Sequence, residues 1–124
     1  SIRRQRQMCI RDSYPTATPI KSQPESEYDT ISDEIKTVFG KDFDKAMKLL
    51  SCENAKLNPK AVNTAGNVPA GSRDIGIFQI NEYHQGVHSK FLLDYKVNIH
   101  LAKKIFDDSG KTFKMWTCGK KFNI

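Results

Sequence analysis

A single carboxylic acid, Glu53, lies where a helix would present apolar side chains to the protein interior. Residues spaced by three and four positions form one stripe of a helix predicted over about 41–54: Phe43, Ala46, Leu50 and Glu53. Transfer of an acid away from water raises its pKa and keeps it protonated near neutral pH. A protonated carboxyl group at a cleft edge can act as a general acid. The alternative is that Glu53 turns outward at the helix end and is solvated, as most helical glutamates are.

The elements around this acid are predicted from capping residues and turn formers. Ser32, followed by two acids, is predicted to cap a first helix that ends at Gly40. Pro59 closes the second helix. Residues 58–74 are rich in Asn, Pro and Gly without a helical period, which predicts turns and an irregular hairpin. Residues 74–81 (DIGIFQIN) are half apolar and predict a short strand or a buried turn into a helix.

A third helix is predicted from near Asp94 to Gly110. Its inward-facing residues are predicted to be Val97, Leu101, Ala102, Ile105 and Phe106. The segment that follows places Cys118 against apolar surroundings and Trp116 as a plug of the core. The predicted fold class is therefore mostly α, a small α+β arrangement in which helices surround a short, turn-rich β region.

The beginning of the chain differs in character from the rest. Residues 3–13 (RRQRQMCIRDS) resemble the in-frame translation of a transposase adapter used to prepare sequencing libraries. We interpret residues 1–13 as such a translated scar fused to a truncated reading frame, with a natural basic arm that binds nucleic acid or acidic lipid as the alternative. Residues 14–30 hold three of the five prolines and predict an extended linker. Residues 31–124, with 15 basic and 10 acidic residues, form the predicted domain.

Exclusion of the first thirteen residues sets Cys9 aside and leaves two cysteines. A Cys52–Cys118 disulfide would stabilise the fold by about 4 kcal/mol in the chain-entropy model. Such a bond forms in an oxidising compartment, which predicts a periplasmic or extracellular protein. Two unpaired buried thiols are the alternative. The apolar runs are too short for a membrane-spanning helix, so no transmembrane segment is expected.

Three sequence blocks occur in the order that is typical of the lysozyme-like superfamily. They read CENAKLNPKAVN, GSRDIGIFQIN and LDYKVNIHLAKKIF. Over about residues 31–124 the chain resembles the bacterial soluble lytic transglycosylases, in which a Glu-Ser-x-x-Asn-Pro-x-Ala-x-Asn block ends a helix. The middle block is also similar to the corresponding stretch of animal C-type lysozymes. The resemblance implies a lysozyme-like fold with peptidoglycan glycan strands as the partner.

The resemblance also implies roles for individual residues. Glu53 matches the catalytic acid, and Gln79 and Asn81 match residues that line the sugar cleft. Gly76 matches a backbone position beside the substrate, where a missing side chain lets chain and ligand approach closely. Asp74 matches the second carboxylate of C-type lysozymes, which most lytic transglycosylases lack. The alternative for Asp74 is a turn residue that bonds its own backbone.

The chain departs from the family pattern next to the acid and at its C-terminal end. Asn54 replaces the usual Ser after the catalytic Glu, and WTCGKKFN stands in place of the C-terminal Tyr-Asn of transglycosylases. These departures affect the hydrogen bonding behind the acid and the far wall of the cleft. Tyr83 is a further candidate for stacking on a sugar ring, with a core or rim position as the alternative.

Two reactions of this superfamily share a first step, in which Glu53 protonates the glycosidic oxygen between N-acetylmuramic acid and N-acetylglucosamine. In a lytic transglycosylase the substrate's N-acetyl group assists, and ionised Glu53 then acts as a base on the muramic 6-hydroxyl, giving a 1,6-anhydro end. In a lysozyme-type muramidase, Asp74 acts as nucleophile or ion-pair partner. We expect transglycosylation, with hydrolysis and a catalytically inactive glycan-binding module as the alternatives.

Other polar clusters point to no further chemistry. His84 and His88 lack the order of a known zinc motif, so no metal site and no cofactor are predicted. Six lysines lie in the C-terminal part of the chain: Lys103, Lys104, Lys111, Lys114, Lys120 and Lys121. They match no recognised nucleic-acid-binding motif, so no nucleic-acid partner is predicted, and a basic face suits the carboxylates of peptidoglycan equally well. The domain is expected to act as a monomer.

Overall fold

A computed structural model of the chain describes residues 26–64 and 73–124. The segment predicted as an adapter scar (1–13) and most of the predicted linker lie outside the described residues. The described residues form helices α1 (Glu27–Phe39), α2 (Phe43–Glu53), α3 (Glu82–Gln85), α4 (Ser89–Leu92), α5 (Tyr95–Asp108) and α6 (Thr117–Phe122), a 3-10 turn (Gly40–Asp42), and strands β1 (Val62–Asn63), β2 (Asp74–Ile75) and β3 (Ile80–Asn81). This confirms a mostly helical chain with a small β region between the second and third long helices.

The first helix begins earlier than predicted. Ser26, not Ser32, is its N-cap, and the Ser26 hydroxyl oxygen accepts a hydrogen bond from the backbone N–H of Asp29 at 3.1 Å. The buried stripe of the helix consists of Ile31, Ile35 and Phe39. Ile31 is buried as part of this stripe, so the helix begins before it. Residues 27–30, which were predicted to belong to the linker, are therefore helical.

The small sheet is antiparallel, with β2 between β1 and β3. In its register Val62 pairs with Ile75, and Asp74 pairs with Asn81. Side chains alternate between the two faces of a strand. Ile75 and Ile80 are accordingly buried in the core, whereas Asp74 and Asn81 lie together on the other face.

The face of α5 that packs inward differs from the prediction. Val97 was predicted to face inward, but it is 39% exposed, and the buried residues of the helix are Asn98, Ile99, Ala102 and Phe106. The start of the helix is as predicted, because Asp94 accepts hydrogen bonds from two backbone N–H groups of its first turn. The prediction counted only apolar residues, whereas the helix is turned so that a polar residue, Asn98, points into the core.

Asn98 is fully buried and joins three separate segments. Its Oδ1 accepts from the N–H of Phe78 at 2.8 Å, and its Nδ2 donates to the carbonyl oxygens of Ile75 and Leu92, both at 2.9 Å. Gly76 packs directly against this amide, and a Cβ atom there would collide with Asn98 Nδ2 and with the Leu92 carbonyl. Gly76 also has φ +80°, a conformation that favours glycine.

Aromatic rings fill the space between the helices and the sheet. The cluster consists of Phe39, Phe78, Phe106, Phe113 and Trp116, with neighbouring centroids 4.5 to 6.4 Å apart. The indole Nε1 of Trp116 donates to the carbonyl of Phe78 at 2.7 Å, so the predicted plug residue is buried and hydrogen-bonded. The predicted Cys52–Cys118 disulfide is present. No helix within residues 26–64 and 73–124 has the length and apolar character to cross a membrane.

We predict that Asn98→Ala lowers the free energy of unfolding by at least about 3 kcal/mol, because it removes three buried hydrogen bonds to backbone groups. Urea unfolding measures this change. Val97→Ala on the exposed side of the same helix is the control, with an expected loss below about 1 kcal/mol. Equal losses for the two variants would show that the Asn98 hydrogen bonds are not important for stability.

Candidate active site

A cleft of about 300 Å³ opens where the end of α2, the sheet and the start of α6 meet. Its polar lining consists of Glu53, Asp74, Gln79, Asn81, Gln85 and Thr117. Its apolar lining consists of Ile80, Ile105, Met115 and Trp116. Two carboxylates, three side-chain amides and an apolar floor therefore face one space, which is a lining suited to a sugar.

Glu53 is the last residue of α2 and is half-buried at this cleft. Burial raises the pKa of its carboxyl group above the ordinary value, and this is the largest influence on it. The backbone N–H of Cys118 donates to Glu53 Oε2 at 3.2 Å and lowers the pKa, whereas the negative charge of Asp74 raises it. The net pKa is raised, which is the direction expected for an acid partly removed from water.

Asp74 lies on β2, opposite Asn81 on β3. Asn81 Nδ2 donates to Asp74 Oδ1 at 3.0 Å, and both side chains line the cleft. The strand register thus brings the second predicted carboxylate into the same cleft as Glu53. The hydrogen bond from Asn81 orients this carboxylate.

Gln79 lines the cleft, but its amide nitrogen is used within the protein. Its Nε2 donates to the carbonyl oxygens of Ala61 at 3.1 Å and Gly76 at 3.0 Å. Gln79 also has φ +50°, a conformation that few residues other than glycine adopt without strain. The side chain therefore closes the tight turn over residues 76–79 and ties it to the β1 end of the sheet.

Asn54 stands where the lytic transglycosylases that the chain resembles have Ser. Its side chain hydrogen-bonds the end of α2 to the turn over residues 76–79. Its Nδ2 lies within hydrogen-bond distance of the carbonyl oxygens of Asn58 (2.9 Å), Ile77 (3.2 Å) and Gly76 (3.3 Å). Its Oδ1 accepts from the N–H of Asn58 at 3.1 Å. Asn54 therefore supplies hydrogen bonds directly behind Glu53.

Two predicted site residues lie outside the cleft lining. Gly76 approaches Asn98 and Leu92 closely, so its missing side chain makes room for protein atoms and not for a ligand. Tyr83 lies on α3 with 74% of its surface exposed and does not contribute to the cleft wall.

His88 caps α4 by accepting from the N–H of Lys90 at 3.0 Å. Within residues 26–64 and 73–124, no three His, Cys, Asp or Glu side chains form a group that could hold a metal ion.

Sequence reasoning missed several residues that shape the site. Met115 and Thr117 line the cleft, and Asn98 holds the turn that carries Gln79. Met115 is 62% exposed and gave no signal in the apolar pattern. Asn98 did give one: it is a polar residue within an apolar stripe of a helix, which is the same signal that identified Glu53.

Comparison of the chain with protein-family models, curated proteins and solved structures gives no match. Inference about function therefore depends on the geometry of the cleft and on the three sequence blocks.

The raised pKa of Glu53 predicts a specific pH dependence of stability. The contribution of protonated Glu53 to the free energy of unfolding is complete below the pKa of the unfolded chain, near 4.5. It is lost as the pH rises through the higher pKa of the folded chain, because ionisation is disfavoured there. We predict that Glu53→Gln, which cannot ionise, is increasingly more stable than the parent chain as the pH rises from about 4 to about 8. Urea unfolding across this range tests the prediction, with exposed Asp44→Asn on the same helix as the control. A constant difference between Glu53→Gln and the parent chain would contradict it.

Proposed function

We propose that the chain is a peptidoglycan-cleaving lytic transglycosylase that acts on the bond between N-acetylmuramic acid and N-acetylglucosamine. The observation that carries the proposal is the position of Glu53, half-buried and with a raised pKa at the edge of a polar cleft. The three sequence blocks that resemble lytic transglycosylases support the same substrate class. In this proposal the domain works as a monomer on glycan strands, in the periplasm or outside the cell, where its disulfide persists.

The proposed reaction begins with proton transfer from Glu53 to the glycosidic oxygen. Burial favours the protonated acid, and the N–H of Cys118 favours the ionised form that remains after transfer. These opposing influences suit a group that must first donate a proton and then accept one. In the second half of the reaction, the substrate's N-acetyl group stabilises the anomeric carbon. Glu53 then removes the proton of the muramic 6-hydroxyl as that oxygen closes the 1,6-anhydro ring.

A specific observation favours a second candidate, the lysozyme-type hydrolase. Asp74 lines the same cleft as Glu53, and Asn81 orients its carboxylate. In that reaction Asp74 would stabilise the oxocarbenium-like transition state or attack the anomeric carbon, and water would complete the cleavage. The two candidates share the acid and differ in the need for Asp74 and in the sugar end that is formed.

Replacement of the acid tests the step that both candidates share. We predict that Glu53→Gln lowers the rate of glycan release from purified sacculi by at least about 100-fold, because a positioned general acid contributes that much or more. Glu27→Gln, an exposed change in the first turn of α1, is the matched control and should keep the parent rate. Cleavage by Glu53→Gln at the parent rate would refute the role of Glu53. Binding of sacculi without cleavage by the parent chain would instead favour a glycan-binding module.

Replacement of the second carboxylate separates the two reactions. We predict that the parent chain releases products with 1,6-anhydro ends, identified by mass analysis, and that Asp74→Asn retains cleavage within about tenfold because the N-acetyl group needs no carboxylate partner. The hydrolase predicts reducing ends and a loss of about 100-fold or more, since it loses its transition-state stabiliser. Asp44→Asn, exposed on α2, is the control for the change itself.

A further inference from the structure

The disulfide is directly adjacent to the acid of the cleft. Cys52 precedes Glu53 in the last turn of α2, and Cys118 is the second residue of α6. The bond joins residues 66 positions apart, with Cα atoms separated by 6.2 Å. Cys118 is thus linked to the end of α2 twice, through its sulfur to Cys52 and through its backbone N–H to Glu53 Oε2.

The short helix α6 depends on contacts outside itself. It has six residues, and isolated helices of that length do not persist in water. N–H groups in the first turn of a helix have no partner within the helix, and the Glu53 carboxylate accepts the one from Cys118. Trp116 and Thr117, immediately before Cys118, form part of the cleft wall. Trp116 is also held by its hydrogen bond to Phe78, so what fixes Cys118 bears mainly on the acid and on Thr117.

We infer that the Cys52–Cys118 disulfide is a positioning element of the site, which holds the Cys118 N–H against the Glu53 carboxylate and keeps Thr117 at the cleft. The consequence for catalysis rests on the proposed function, whereas the consequence for the hydrogen bond does not. Reduction by a dithiol, which is itself oxidised to a disulfide while the two cysteines become thiols, would loosen α6 without changing any cleft residue.

The test combines nuclear magnetic resonance with kinetics on the whole chain. In the oxidised protein, the amide proton shift of Cys118 should titrate together with the Glu53 carboxyl carbon. In the reduced protein and in the double variant C52A/C118A, that amide should no longer follow Glu53. The rate of glycan release should fall at least tenfold in both, measured below the unfolding temperature of each.

A destabilised variant separates positioning from general stability. Ile35→Ala opens a cavity under α1, away from the cleft, and should keep both the amide titration and the rate within threefold. An unchanged Cys118 amide titration after reduction would overturn the inference. Loss of the entire fold on reduction at every temperature would also overturn it, because the disulfide would then stabilise the whole fold and not the site in particular. If the oxidised protein shows the coupled titration but cleaves no glycan, the proposed function fails, and loss of the coupling on reduction still supports the positioning role.

Discussion

The carboxamide of Asn98 is the interaction on which the rest of the cleft depends. It is completely buried, and it satisfies one N–H and two carbonyl groups from the sheet, the tight turn and the α4 end. A buried amide is favourable only when its hydrogen bonds are made, so the segments it joins have little freedom to move relative to one another. This arrangement requires glycine at position 76, because only a residue without a side chain can lie so close to the Asn98 amide.

The hydrogen bonds of Asn98 affect the cleft because they hold residues directly next to cleft residues in the chain. Asn98 bonds to Ile75, the neighbour of Asp74 in β2, and to Phe78, the neighbour of Gln79. Since adjacent residues in a strand face opposite sides, fixing Ile75 in the core directs Asp74 toward the cleft. One buried polar side chain thereby fixes the backbone next to two cleft residues, Asp74 in the sheet and Gln79 in the turn.

The sequence was sufficient for the elements that local patterns determine. The ends of α2, the start of α5 and the cysteine pair follow from spacing, capping and count, and the shielding of Glu53 follows from its place in an apolar stripe. Three features were not predicted: the early start of α1, which the local Ser26 cap sets, and the inward direction of Asn98 and the close packing of Gly76, which depend on contacts with distant segments. Periodicity that counts only apolar residues cannot identify a helix face that turns inward to satisfy backbone groups elsewhere. The lysozyme-like assignment itself comes from resemblance and remains a proposal.

The final residue of a helix is ordinarily a poor place for a group that must be held still, because helix ends fray. Here the residues on both sides of Glu53 are bonded to two segments that carry cleft residues. Cys52 is bonded covalently to α6, and Asn54 is hydrogen-bonded to the turn at residues 76–77. The acid therefore lies between two residues that are bonded to segments 22 to 66 positions away in the chain. A side chain held in this way can be desolvated on the protein side and still face an open cleft, which is the physical requirement for an acid that gives its proton to a bound sugar and takes one back.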